Sequence, residues 1–172
     1  HHLELRNVES LVFDPADSKV LYVGTRHLGW KTTDGGAKWS PVHDGMIDDS
    51  DVMTLTIDRW DPRTLYATAC SGIYRSTEGA KGWTKLPGIP FSSRRTRAFS
   101  QSADYLNLLL AGTTEGLYIS KNRGVSWRLA TPKTLIVNAV LVQPSGTIIL
   151  GAEGAGVLRS MDLGNTWVAS NT

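Results

Sequence analysis

Apolar residues in this chain come in short runs separated by Pro, Asp, Gly and Ser, and no window gives them the i, i+3, i+4 spacing of an amphipathic helix. Placed under one another, the runs fall into a repeating order. Residues 11–15, 55–58, 99–101 and 140–143 predict a first strand in each of four repeats. Residues 20–25, 64–68, 108–112 and 147–151 are almost uninterrupted apolar runs, which predicts a second strand covered on both faces. Residues 30–32, 73–76, 117–120 and 157–160 predict a third strand, and a fourth is expected to begin at Trp39, Trp83, Trp127 and Trp167. The expectation is an all-β chain of four repeats with four strands each.

Between each third strand and its tryptophan stands an octet of the form Ser/Thr-x-Asp-x-Gly-x-x-Trp. It reads Thr32, Asp34, Gly36, Trp39 in the first repeat and Ser160, Asp162, Gly164, Trp167 in the last. The third repeat has Ser120, Asn122, Gly124 and Trp127, and the second has Ser76, Glu78, Ala80 and Trp83. The tryptophans follow one another at 44, 44 and 40 residues, a period that signals a repeat architecture. Each place in the octet has a physical task. An Asp or Asn oxygen accepts backbone N–H groups inside a tight turn, glycine supplies a positive φ, and the indole carries a large apolar surface inward. In the second repeat Glu78 is one methylene longer than Asp and Ala80 bears a Cβ, so its turn is expected to be the least regular. The first repeat has Leu28 where the others have Gly72, Gly116 and Gly156, which makes the turn at 26–29 a second expected departure.

The octets resemble the Asp-box of the BNR-repeat proteins, which include sialidases, other glycoside hydrolases, sortilin-like receptors and photosystem II assembly factors. The resemblance implies a β-propeller of four-stranded antiparallel blades, with the octet at the turn between third and fourth strands. Four blades would lie at about 8–45, 50–90, 94–132 and 135–170, within one propeller domain or section spanning 1–172. Propellers close with about four to eight blades, and the relatives usually carry six or more. The expectation is therefore part of a larger ring, or one completed by self-association with a second chain, and a closed four-bladed monomer is the alternative. Residues 3–6 read as the end of a preceding blade's outer strand. The resemblance also implies an extracellular or periplasmic location.

Composition narrows the partners. With 172 residues, 41% hydrophobic and 20% charged, the chain is long enough to bury a core. A net charge of +2 gives no electrostatic case for nucleic acid. No apolar run reaches the about 20 residues of a membrane-spanning helix. The single cysteine, Cys70, excludes an intrachain disulfide, and four scattered histidines offer no zinc spacing. No metal and no cofactor are expected.

Strand parity puts the octets on one face of such blades and the second-to-third and blade-to-blade loops on the other. The octet residues are thus structural, and candidate chemistry lies on the loop face. Three groups stand there. Arg94, Arg95 and Arg97 share one connection, and guanidinium groups grip carboxylates and phosphates. Sialidases of the resembled family use three arginines, but from separate blades, and the Phe/Tyr-Arg-Ile-Pro motif is absent here. Arg26 and His27 occupy the second-to-third loop of the first repeat. Asp48, Asp49 and Asp51, with Glu115 or Glu153, form the carboxylate set of a glycoside hydrolase alternative, since a suitably separated pair hydrolyses glycosidic bonds. A solvated acidic loop is the plainer reading of the aspartates, and their spacing matches no EF-hand. Cys70 and Ser71 lack an evident base unless His27 serves. The function expected is rigid presentation of loops to a protein or glycan ligand, centred on the arginine connection and without catalysis.

Overall fold

The computed structural model describes residues 5, 7–47 and 51–170. The first sheet holds β1 (Val8–Phe13), β2 (Leu21–Thr25), β3 (Gly29–Thr32) and β4 (Ser40–Pro41). The second holds β5 (Val52–Ile57), β6 (Leu65–Ala69), β7 (Gly72–Ser76) and β8 (Thr84–Lys85). A 3-10 turn at Phe91–Ser93 precedes the third, made of β9 (Thr96–Gln101), β10 (Leu109–Thr113), β11 (Gly116–Ser120) and β12 (Arg128–Leu129). The fourth holds β13 (Val137–Val142), β14 (Ile148–Ala152), β15 (Gly156–Ser160) and β16 (Val168–Ala169). Every sheet is a four-stranded antiparallel meander in chain order, the build of a propeller blade. Among the described residues no helix is long and apolar enough to cross a membrane.

The chain divides into two compact units, His1–Lys85 and Leu86–Thr172, each with two blades. In the first unit Leu55, Ile57, Leu65 and Tyr74 of the second blade pack on Val12 and Tyr22 of the first. In the second unit Val140, Val142, Ile148 and Leu150 pack in the same way against Leu110 and Ile119. Strands β6 and β10 are buried along their whole length, as an uninterrupted apolar run requires.

Each inner strand begins three residues earlier than its apolar pattern suggests. A register shift near its start, at Val8/Ser10 in β1 and Val137/Ala139 in β13, breaks the alternation of inward and outward side chains. The outer strands are two residues long and begin after the tryptophan, so the indole closes the turn rather than opening the strand.

The octet turn has one backbone design in all four blades. Its fourth and fifth residues are both left-handed: Gly35 and Gly36 at φ 72 and 98°, Gly79 and Ala80 at 66 and 66°, Arg123 and Gly124 at 56 and 85°, Leu163 and Gly164 at 56 and 82°. The first-position hydroxyl accepts the fifth residue's N–H, at 3.0, 3.1, 2.8 and 2.8 Å from Thr32, Ser76, Ser120 and Ser160. The second turn therefore keeps its backbone. What it lacks is the clasp of the third-position side chain, for Asp34, Asn122 and Asp162 each accept a backbone N–H four residues on, and Glu78 makes no equivalent bond among the described residues. The fourth-position N–H of Gly35, Gly79 and Arg123 donates to the carbonyl of Lys19, Arg63 and Asn107 in the first-to-second turns. Octets and first-to-second turns thus share a face, as parity requires.

At the other end of the blade, Leu28 takes φ 66°, a positive φ as at its glycine counterparts, and closes the tight turn one residue before β3. Thr25 Oγ1 donates to the His27 and Leu28 carbonyls and accepts the His27 N–H, which holds the strained residue in place. Burial of the leucine side chain, 4% exposed, offsets the conformational cost.

Candidate functional site

In the second unit the loop face gathers polar side chains from both blades. Arg97, on β9, sends Nη1 2.6 Å to Asn138 Oδ1 on β13 and stands 3.6 Å from Glu153 Oε2 in the loop after β14. Its side chain is 35% exposed, so one edge of the guanidinium is fixed and the rest faces solvent. Asn138 carried no signal in the sequence, because only the register of β13 beside β9 brings it to the arginine.

Glu115, in the loop between β10 and β11, belongs to a second group. Ser92 and Ser93 donate at 2.9 and 2.8 Å to its Oε2, and the Tyr118 hydroxyl, donating at 3.0 Å, supports Ser93 from the core. The Ser93 and then the Ser92 hydroxyl hold the Glu115 carboxyl below the usual range, since both bonds favour the anion. Arg94 folds back over the Phe91 ring, 3.7 Å from guanidinium to centroid, and donates to the Phe91 carbonyl. Phe91 remains 76% exposed. Arg95 is exposed and passes its carbonyl to Thr114 N–H. The three arginines therefore do not converge: Arg97 faces the neighbouring blade, Arg94 lies on Phe91 and Arg95 faces solvent.

In the first unit Arg26 Nε donates to Glu9 Oε1 at 2.9 Å, and Glu9, with Asp51 nearby, keeps the guanidinium charged. His27 is exposed on the same loop. Ser71 shares a hydrogen bond with Tyr74 OH at 2.9 Å, and Cys70 is a half-buried free thiol. Asp48 and Asp49 lie outside the described residues. Among the described residues no three His, Cys, Asp or Glu side chains group closely enough to hold a metal.

A hollow of about 410 Å³ opens on the octet face of the second unit, lined by Tyr105, Leu106, Leu108, Lys121 and Leu163. No sequence motif announced it. It forms because Tyr105 and Leu106, in the first-to-second turn, stand half exposed beside the next octet.

No protein-family model matches the chain. Among curated proteins it is similar to a xyloglucanase of Paenibacillus sp, 34% identical over 107 residues that make up 48% of this chain and 10% of that protein. Xyloglucanase Xgh74A of Acetivibrio thermocellus is 29% identical over 148 residues, 72% of this chain and 18% of the relative. A xyloglucanase of Hypocrea jecorina is 26% identical across 92% of this chain and 25% of its own length. The chain thus spans a quarter or less of these relatives. Among solved structures an ancestral GH74 enzyme superposes with a TM-score of 0.80 at 18% identity, covering 96% of this chain and 24% of that one. YCF48 bound to D1 peptide gives 0.68 at 15% identity, over 94% and 53%. These likenesses establish the fold, a set of β-propeller blades consistent with part of a larger ring.

Proposed function

We propose that this chain is a carbohydrate-recognition section of a larger propeller protein, and that the loop face of its second unit contacts a neutral β-glucan of the xyloglucan kind. The xyloglucanase names of the sequence relatives support the ligand class. The carrying observation is the Arg97, Asn138 and Glu153 cluster, which sets donors and acceptors from two blades side by side. Sugar hydroxyls both donate and accept, so mixed groups on a stiff scaffold suit them better than a patch of one charge. Such a ligand puts the protein outside the cytoplasm.

The carboxylates described here suit binding better than catalysis. Glycoside hydrolysis needs an acid whose pKa is raised. Glu115 is shifted the opposite way by its serines. A hydrolase would draw on Asp48, Asp49 and Asp51. A peptide ligand is the second reading, favoured by the exposed Phe91 with Arg94 stacked on it.

Calorimetric titration with soluble xyloglucan separates these readings. Binding is expected without release of reducing ends, and Arg97→Ala is expected to weaken it roughly tenfold, the loss of one charge-assisted hydrogen bond. Absence of binding refutes the glycan reading. Turnover abolished by Asp51→Asn or Glu115→Gln would establish the enzyme instead.

A further inference from the structure

We infer that the octet face of the second unit binds a small amphipathic anion, its apolar body in the hollow beside Tyr105 and its carboxylate at Lys121. The repeat itself supplies the comparison. In the first two blades an aspartate closes the first-to-second turn: Asp17 Oδ1 accepts the Lys19 N–H and Asp61 Oδ1 the Arg63 N–H, both at 3.0 Å. The third blade keeps the backbone of that turn, for the Tyr105 carbonyl accepts the Leu108 N–H as those of Asp17 and Asp61 accept the Val20 and Thr64 N–H. Its side chain is a tyrosine, however, so the capping bond is absent, and Leu106 follows where the others have Ser18 and Pro62. Tyr105 and Leu106 are 50 and 42% exposed. This turn lacks a stabilising bond and sets two large apolar side chains in solvent, an arrangement that the first two turns show the fold does not need.

Two further departures from the repeat meet at the same place. Leu163 stands where the first two octets have Gly35 and Gly79, and at φ 56° it holds a backbone conformation that a Cβ disfavours. Its side chain lines the hollow of about 410 Å³ with Tyr105 and Leu106. Gly146, in the fourth blade's own turn, lies next to both walls: a Cβ on it would come 3.4 Å from Leu163 Cδ2 and 3.7 Å from Tyr105 Cε2. Lys121 replaces Thr33, Thr77 and Met161 at the second octet position, and among the described residues its ammonium has no carboxylate partner. The same lysine borders a second hollow of about 440 Å³, beside Ile119, Trp127 and Arg128, which no acidic side chain lines. There the third octet position is the neutral Asn122, tied to Ser126, where the first and last octets carry Asp34 and Asp162. Arg128 Nη2 reaches the Leu163 carbonyl at 3.1 Å, so the hollows adjoin, and Asp104 lines only the first of them, on the turn. An apolar hollow of this size with a few placed polar groups has the form of a small-molecule site. Tyr105 suits an aryl ring, and the two cations at the other end select a carboxylate head over a neutral one. All these residues belong to the third and fourth blades, so both walls are part of this chain, and the site is independent of the glycan reading of the loop face.

Titration of the chain with 4-phenylbutyrate, followed by amide NMR shifts, tests this. Saturable shifts are expected at residues 104–108, 121–128 and 163. The neutral analogue 4-phenylbutanol is expected to bind roughly tenfold more weakly, and Lys121→Ala to weaken the acid by a similar factor while leaving the alcohol unchanged. The double variant Tyr105→Asp, Leu106→Ser gives the third blade the turn residues of the first. It is expected to lose the binding and to melt no lower than the wild type, because the capping bond returns. No saturable shift, or equal affinity for acid and alcohol, overturns the inference. A double variant that melts several degrees lower does so too, since the tyrosine and leucine would then serve the fold rather than a ligand. Shifts at these amides with xyloglucan and none with the acid would assign the hollow to sugar and overturn it as well.

Discussion

Gly112→Ala is expected to lower the melting temperature by roughly 6–12 °C, read by circular dichroism. The residue lies within β10, where the inner strand of the next blade comes closest. A Cβ there would stand 2.7 Å from Val137 Cγ1, 3.1 Å from Val137 O and 3.2 Å from Ala98 Cβ. None of these is the end of a flexible side chain. Val137 is fully buried, and its carbonyl belongs to the strand backbone, so relief demands that two blades move apart. Overpacking at such a site costs up to about 3 kcal/mol, and in a chain of 172 residues each kcal/mol is worth roughly 2–4 °C. Gly24→Ala, which would meet Val52 O at 2.6 Å and Ser10 Oγ at 2.5 Å, is expected to act in the same direction on the first unit. Gly82, with nothing within 4 Å and no positive φ, is the control: its alanine variant should melt within a degree or two of the wild type. Equal losses at Gly82 and Gly112 would mean that blade contact is not the cause.

The repeat was legible because its parts are local. A hydroxyl, a carboxylate or amide and a glycine, held within five residues, make a turn that needs no distant neighbour, so the four octets and the strands around them could be read directly. The strand starts were less legible. The register shift at the head of each inner strand puts Glu9 or Asn138 where alternation predicts an apolar residue, and the pattern becomes readable only past it. Conformation without glycine was also hidden: Leu28, Arg123 and Leu163 adopt positive φ, and nothing in a leucine or arginine announces it. The loop face was hardest. Arg97 stood out in the sequence for its charge, yet its partners Asn138 and Glu153 lie on the neighbouring blade. Ser92 and Ser93 acquire a role only through Glu115, more than 20 residues away along the chain.

The octet itself makes the second large prediction, in which a single hydroxyl outweighs the carboxylate at neutral pH. Ser160, 1% exposed, accepts the Gly164 N–H at 2.8 Å and donates to Asp162 Oδ1 at the same distance. Ser160→Ala leaves the buried Gly164 N–H without an acceptor, a loss of about 1–3 kcal/mol visible as a lower melting temperature at pH 7. Asp162 acts through charge. The Thr166 hydroxyl and N–H, then Ser160, bond its carboxylate and hold its pKa well below the ordinary aspartate value of about 3.9. A depressed pKa means that the folded state binds fewer protons than the unfolded one. The stabilisation is therefore complete above the ordinary value and drains away as pH falls through it toward the lower, folded one. Asp162→Asn is expected to melt close to the wild type at pH 7 and to lose less between pH 5 and pH 2.5. The third octet already works this way, with Asn122 Oδ1 accepting Ser126 N–H at 2.9 Å and Nδ2 donating to Ser126 Oγ at 2.8 Å. Asp34, lowered chiefly by the Lys38 N–H and then by Thr32, should contribute a similar acid-sensitive share, so the double variant Asp34→Asn, Asp162→Asn should have the flattest profile. If the double variant declined as steeply as the wild type, the octet carboxylates would not be the groups whose protonation loosens the blades in acid.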